Sequence, residues 1–220
     1  MISKKEQLQQ FKLYAVTDVK GTGQDLLARA EAAYRGGADI VQLRAKSMAD
    51  AEFLAMAQKL SAMAAAQRKL FFVNDRVEIA LRAGADGVHL GQEDMPVAEA
   101  RKLAAGRPDF LIGKSTHSLP QALAAQVEGA DYIGVGPVFS TPTKPGREPV
   151  GLTLVRDVSR SALVIPFVAI GGIDLTNLQQ VLDAGSVRVA CVRAIFDQED
   201  VFHATSELRK QLEKFSHAAA

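Results

Sequence analysis

Two carboxylates define the chemistry this chain can attempt. Asp75 closes the run Phe71-Phe72-Val73-Asn74-Asp75, and Asp94 closes Val88-His89-Leu90-Gly91-Gln92-Glu93-Asp94. Each lies just past an apolar stretch of strand character. A parallel α/β chain assembles its active site from the C-terminal ends of its strands, so the two could meet around one metal ion. Carboxylate oxygens with few other ligands suit magnesium, which keeps several waters and takes further oxygens from a substrate phosphate. Each aspartate also has a local alternative: Asp75 can cap a helix starting near Arg76, and Asp94 one starting at Pro96 and Val97.

Other strand ends supply cations and hydroxyls. In Gln42-Leu43-Arg44-Ala45-Lys46, strand alternation puts Gln42, Arg44 and Lys46 on one side. An amide and two cations there make an anion site with an orienting group; the alternative is a solvated strand end. Ser115, in Lys114-Ser115-Thr116-His117-Ser118, is placed to bind a phosphate oxygen. His117 is either a general base or a structural residue beside the helix that Ser118-Leu119-Pro120 announces. The proline- and glycine-rich stretch from Gly136 to Gly151 carries Thr141, Thr143 and Lys144, directed donors on a chain of limited entropy. Paired glycines in Ala169-Ile170-Gly171-Gly172-Ile173, followed later by Val192-Arg193, match the phosphate site barrels build after their seventh and eighth strands. Two anion sites suggest transfer of a group from a diphosphate onto a phosphorylated acceptor.

An internal repeat supplies the elements that must position these residues. Gly-Ala-Asp occurs at Gly37, Gly84 and Gly129, each time before an apolar run, and Ala184-Gly185-Ser186 is a degenerate fourth copy. Each interval holds two strand-plus-helix units, giving eight. Apolar runs predict strands at Leu13–Thr17, Ile40–Leu43, Leu70–Val73, Gly87–Leu90, Leu111–Lys114, Tyr132–Val135, Phe167–Ile170 and Arg188–Val192. Helical periodicity follows each one, the last running from Val201 to Phe215. The expected fold is α/β, a single (β/α)8 TIM barrel over residues 1–220, with its core at about 13–215 and a frayed polar tail at 216–220. The glycines of the repeat are expected to end helices in the left-handed conformation, and its three aspartates, which precede strands, to be structural.

Composition narrows the partners. With 48% hydrophobic and 23% charged residues and a net charge of +1, the chain gives no reason to expect a nucleic-acid or membrane surface. Small-molecule substrates are the expected partners, and oligomeric state is not legible. The single cysteine, Cys191, forms no internal disulfide, and a reduced, cytoplasmic setting is expected. No apolar stretch reaches spanning length, and the N-terminus has no secretory pattern.

Taken in order, Leu13-Tyr14-Ala15-Val16-Thr17-Asp18, Gln42-Leu43-Arg44-Ala45-Lys46, Val73-Asn74-Asp75, Gly87-Val88-His89-Leu90-Gly91-Gln92-Glu93-Asp94, Gly134-Val135-Gly136-Pro137-Val138-Phe139, Thr141-Pro142-Thr143-Lys144 and Ala169-Ile170-Gly171-Gly172-Ile173 resemble the thiamine phosphate synthase family. The resemblance implies an enzyme that joins hydroxymethylpyrimidine diphosphate to thiazole phosphate, releasing pyrophosphate. It implies Mg2+ on Asp75 and Asp94, the pyrimidine diphosphate on Gln42, Arg44, Lys46, Asn74 and Ser115, and Lys144 on the departing pyrophosphate. Thr141, Thr143, Gly172, Val192 and Arg193 fall where the family holds the thiazole phosphate. One departure stands out: the family usually has a small serine where Arg193 stands, so this arginine either pairs with the acceptor phosphate or obstructs it. A thiazole tautomerase-like barrel, with His117 as its catalytic group, and a non-catalytic barrel that binds a thiamine precursor are the alternatives.

Overall fold

Eight short parallel strands close into one barrel in sequence order: β1 (Leu13–Val16), β2 (Ile40–Leu43), β3 (Leu70–Asn74), β4 (Gly87–Leu90), β5 (Leu111–Thr116), β6 (Tyr132–Val135), β7 (Phe167–Ile170) and β8 (Val189–Cys191), with β8 paired back onto β1. In this computed structural model the described residues are 2–18, 24–143, 146 and 148–218. The strands alternate with α2 (Gln24–Arg35), α3 (Asp50–Gln67), α4 (Val77–Arg82), α5 (Val97–Leu103), α6 (Leu119–Val127), α7 (Gly151–Ser159), α8 (Leu178–Asp183) and, after β8, α10 (Val201–Ala218). Two further helices, α1 (Lys4–Gln10) and α9 (Arg193–Phe196), have no counterpart in the expected element list. Backbone placed in the expected frayed tail instead continues α10 to Ala218.

Glycine turns the chain at each repeat. Gly37, Gly84, Gly129 and Gly185 all have positive φ, between 71° and 108°, the left-handed helix ending that a side chain would strain. The aspartate two residues on then ties the barrel wall together. Asp39 accepts from the Lys12 and Leu13 amides, Asp86 from Phe71 and Asp131 from Ile112, at 2.7 to 3.1 Å. Each carboxylate thus satisfies the first amides of the preceding odd-numbered strand, at the barrel face opposite the site. In the degenerate copy Ser186 instead donates to the Arg188 carbonyl.

Side-chain alternation separates two cores. Outward residues such as Val41, Phe71, Val88, Ile112 and Ile133 pack under the helices, while Tyr14, Ile40, Leu70, Phe72, Leu111, Tyr132 and Val168 fill the barrel. Helix α1 closes the bottom, adding Leu8 and Phe11 to the inner core, with Phe11 edge-on to both Tyr14 and Tyr132. Its start carries a reciprocal capping box between Ser3 and Glu6. With one buried residue, Leu8, α1 offers no periodicity to read.

Candidate active site

At the C-terminal mouth, a cavity of about 300 Å³ is lined by the inward-facing residues of successive strands, among them Gln42, Arg44, Asn74, His89, Ser115 and Val192. The i, i+2 phase inferred for Gln42 and Arg44 holds: Gln42 is 4% and Arg44 8% exposed, while Lys46 one step further is in the open. Arg44 is the most constrained of the three. Its backbone amide bonds Thr17 Oγ1 at 2.9 Å, and its guanidinium meets Asp18 Oδ1 at 2.6 Å and the Thr143 carbonyl at 3.5 Å. These contacts hold the fork in one orientation, which suits planar recognition of a phosphate or carboxylate.

A second depression adjoins the first and is lined by Lys46, Asp75, Gly91, Asp94 and Glu148. Arg44, Asn74, His89, Ser115, His117 and Thr143 belong to both. Asp75 sits on a sharp corner, with φ +62° and the Asn74 carbonyl accepting from the Arg76 amide at 2.7 Å across it. An aspartate held in the left-handed region is an uncommon conformation of the kind that concentrates at functional sites. The next helix, α4, has Arg76 at its cap position with no side-chain cap bond. For Asp94, α5 is preceded by Pro96 without a side-chain cap. Asp94 Oδ2 accepts instead from Gly91 at 2.6 Å, and Lys114 Nζ bonds the Gly91 carbonyl at 2.7 Å, fixing the turn that carries this carboxylate.

Asp75 and Asp94 therefore line one depression beside two cations. Among the described residues no group of three or more His, Cys, Asp or Glu side chains forms a protein-only metal cage. Two carboxylates fit a hydrated magnesium that shares oxygens with a substrate, and do not fit a fully protein-ligated ion.

Across the mouth, Gly171 and Gly172 have φ of +106° and +66°. A Cβ on Gly171 would lie 2.5 Å from Pro137 Cα, and one on Gly172 2.8 Å from Phe139 Cβ. The doublet therefore serves two ends: it lets the loop after β6 pack closely, and it brings backbone to the cavity wall. Thr141, Thr143, Val192 and Arg193 line the same wall. Among the described residues the buried Thr143 hydroxyl has no hydrogen-bond partner, so it is available to a ligand oxygen. Arg193 begins α9; its Nε bonds Asp197 at 3.0 Å and its side chain is 53% exposed, so the cavity stays open beside it. His117 lines both depressions, with Nδ1 bonded to the Gly136 carbonyl and its amide to Gln121 Oε1. Lys144 lies outside the described residues.

Four site residues went unlisted on sequence grounds: Asp18, which holds Arg44, and Tyr14, His89 and Tyr132 inside the barrel. Tyr14, His89 and Tyr132 join Gln42 to Ser115 by hydrogen bonds of 2.7 to 2.9 Å. The available signal was position, since His89 lies two residues before Gly91 near the end of β4, and Asp18 lies two residues past β1 as Asp75 lies one past β3.

A closed eight-stranded barrel with paired glycines after β7 and two carboxylates after β3 and β4 at its mouth defines the class as an α/β-barrel protein with its candidate site at the strand C-termini. The comparisons make this specific. A family described as "Thiamine monophosphate synthase" matches residues 13–195, and the chain belongs to it. It is 48% identical over 186 residues to a thiamine-phosphate synthase of Thermus thermophilus, covering 84% of this chain and 88% of that one. With the thiamine-phosphate synthase of Synechocystis it shares 46% over 211 residues, 96% of this chain but 60% of that longer protein. A solved thiamine phosphate pyrophosphorylase from Pyrococcus furiosus superposes with a TM-score of 0.84 at 38% identity, covering 96% and 98% of the two chains. Among the described residues no helix is long and apolar enough to cross a membrane.

Proposed function

We propose that this chain is a thiamine phosphate synthase, joining hydroxymethylpyrimidine diphosphate to thiazole phosphate with release of pyrophosphate. The observation that carries the reading is the shared wall. The depression bearing Asp75, Asp94 and Lys46 and the cavity bearing Gly172, Thr141 and Arg193 have Arg44, Asn74, Ser115 and Thr143 in common. Two anionic ligands bound there lie side by side, the arrangement that lets a reaction between them proceed as if unimolecular.

In this reading Gln42, Asn74 and Ser115 orient the pyrimidine, and Arg44 and Lys46 hold its diphosphate. Magnesium on Asp75 and Asp94 would neutralise charge on the diphosphate oxygens. As the bond from the methylene carbon to the diphosphate oxygen breaks, that oxygen gains charge, and the cations at the β2 end, with Lys144 in the same role, stabilise it. The electron-rich aminopyrimidine shares the resulting methylene cation, and the thiazole ring nitrogen attacks. Thr141, Thr143, the Gly172 backbone, Val192 and Arg193 hold the acceptor through its phosphate, the first amides of α9 having no intrahelical partner. No protein nucleophile is required. The test is to incubate the purified protein with both precursors and magnesium: thiamine phosphate and pyrophosphate should appear in equal amounts. Absence of both at saturating substrate would reject the reading.

A further inference from the structure

Beneath the cavity, five side chains from five strands form one hydrogen-bonded chain through the barrel. Gln42 Nε2 donates to the Tyr14 hydroxyl at 2.7 Å. The Tyr14 and Tyr132 hydroxyls are 2.9 Å apart, Tyr132 is 2.9 Å from His89 Nδ1, and His89 Nε2 is 2.9 Å from Ser115 Oγ. Both ends line the cavity, while Tyr14 and Tyr132 are 1% and 0% exposed. Room for the chain comes from missing side chains: a Cβ on Gly113 would lie 2.2 Å from Tyr132 Cζ, and one on Gly134 3.3 Å from His89 Cε1.

Counting protons gives the chain a direction. Burial pushes both phenols well above their ordinary range, so each hydroxyl keeps its one proton. Tyr14 accepts from Gln42, which leaves the Tyr132 oxygen as the place for its own proton. Tyr132 must then donate to His89 Nδ1. His89 is thereby the neutral Nε2–H tautomer and donates to Ser115, whose own proton is left for the cavity. With Nδ1 protonated, Tyr132 would have to donate back to Tyr14, stranding the Tyr14 proton as a buried donor without an acceptor.

We infer that His89, Tyr132 and Tyr14 are positioning residues that set the hydrogen-bonding sense of both cavity-facing ends at once. Gln42 presents a carbonyl oxygen and Ser115 a hydroxyl proton. The complementary ligand is a heteroaromatic ring with an amino donor facing Gln42 and an acceptor facing Ser115. An oxo-substituted ring of the same shape would put oxygen against oxygen at Gln42, which makes the chain a specificity device. That choice of ligand rests on the synthase reading; the direction of the chain does not.

Ring-nitrogen NMR on protein with 15N-labelled histidine tests the direction without any turnover, the His89 signals being those lost in His89→Gln. The expected wild-type result is a protonated Nε2 and a bare Nδ1. Gln42→Leu and Tyr14→Phe leave the Tyr132 proton with His89 Nδ1 as its acceptor and should keep this tautomer, whereas Tyr132→Phe, which removes the donor to Nδ1, should blur it into a mixture. On a Tyr132→Phe background Gln42→Leu should have no further effect. As a functional readout, Tyr132→Phe should raise KM for the aminopyrimidine diphosphate about tenfold and leave KM for thiazole phosphate unchanged. A wild-type His89 protonated at Nδ1, or His89 signals indifferent to Tyr132→Phe in folded protein, would overturn the inference. Failure of the synthase assay with the predicted NMR result would remove only the ligand.

Discussion

Arg44 shows how a single side chain is prepared for its task. It is 8% exposed, its backbone is stapled to Thr17, and its guanidinium is anchored by Asp18 at 2.6 Å. A lysine could carry the charge but could not make the planar fork that Asp18 and a diphosphate would share. Arg44→Lys should therefore lower kcat/KM for the pyrimidine diphosphate by roughly tenfold to a hundredfold, about 1.5–3 kcal/mol for a charged hydrogen bond. Steady-state kinetics varying that substrate alone would show it, and an unchanged kcat/KM would reduce Arg44 to a structural ion pair. Arg44 was legible in the sequence because strand alternation fixed its face. Asp18 was not, because its importance comes from a partner on the neighbouring strand, and that pairing exists only after β1 and β2 are in register.

At the scale of elements, the repeated Gly-Ala-Asp made the barrel readable. A glycine that ends a helix and an aspartate that ties down the preceding strand are local requirements, so they leave a periodic mark. Asp86→Ala should remove the acceptor of the Phe71 amide and destabilise the protein by about 1–3 kcal/mol, measured as a drop in the urea midpoint. Gly113→Ala should cost a similar amount, about 1–3 kcal/mol from overpacking, because its methyl would meet the Tyr132 ring. A midpoint unmoved by Gly113→Ala would mean the Tyr132 ring gives way freely. Elements without periodicity escaped the sequence reading. Helix α9 is a four-residue turn, and its value lies in where it places Arg193 relative to the cradle, which no local pattern encodes. For Arg193 itself, the structure shows an ion pair with Asp197 at 3.0 Å on the cavity wall.

For the whole molecule, the barrel keeps its stability and its chemistry at opposite ends: the repeat aspartates and α1 close one face, and the strand ends build the other. Cys191 reports on the integrity of this packing. Burial pushes its thiol up to about 12, so at pH 8 it stays protonated, and as a raised acid its thiolate forms only as pH climbs toward that value. Iodoacetamide should leave it unmodified in the folded protein and label it promptly in denaturant; rapid labelling of the folded protein would show a loose β8. The account depends most on the claim that the mouth neutralises a diphosphate through Asp75 and Asp94, and a magnesium titration of the initial rate of pyrophosphate release in wild type and Asp75→Asn tests it most directly. The account predicts a turnover roughly a thousandfold lower in the variant, several kcal/mol of lost transition-state stabilisation at about 1.4 kcal/mol per tenfold, with a raised magnesium requirement. Unchanged turnover with an unchanged magnesium requirement would contradict it and return Asp75 to a purely structural corner at the end of β3.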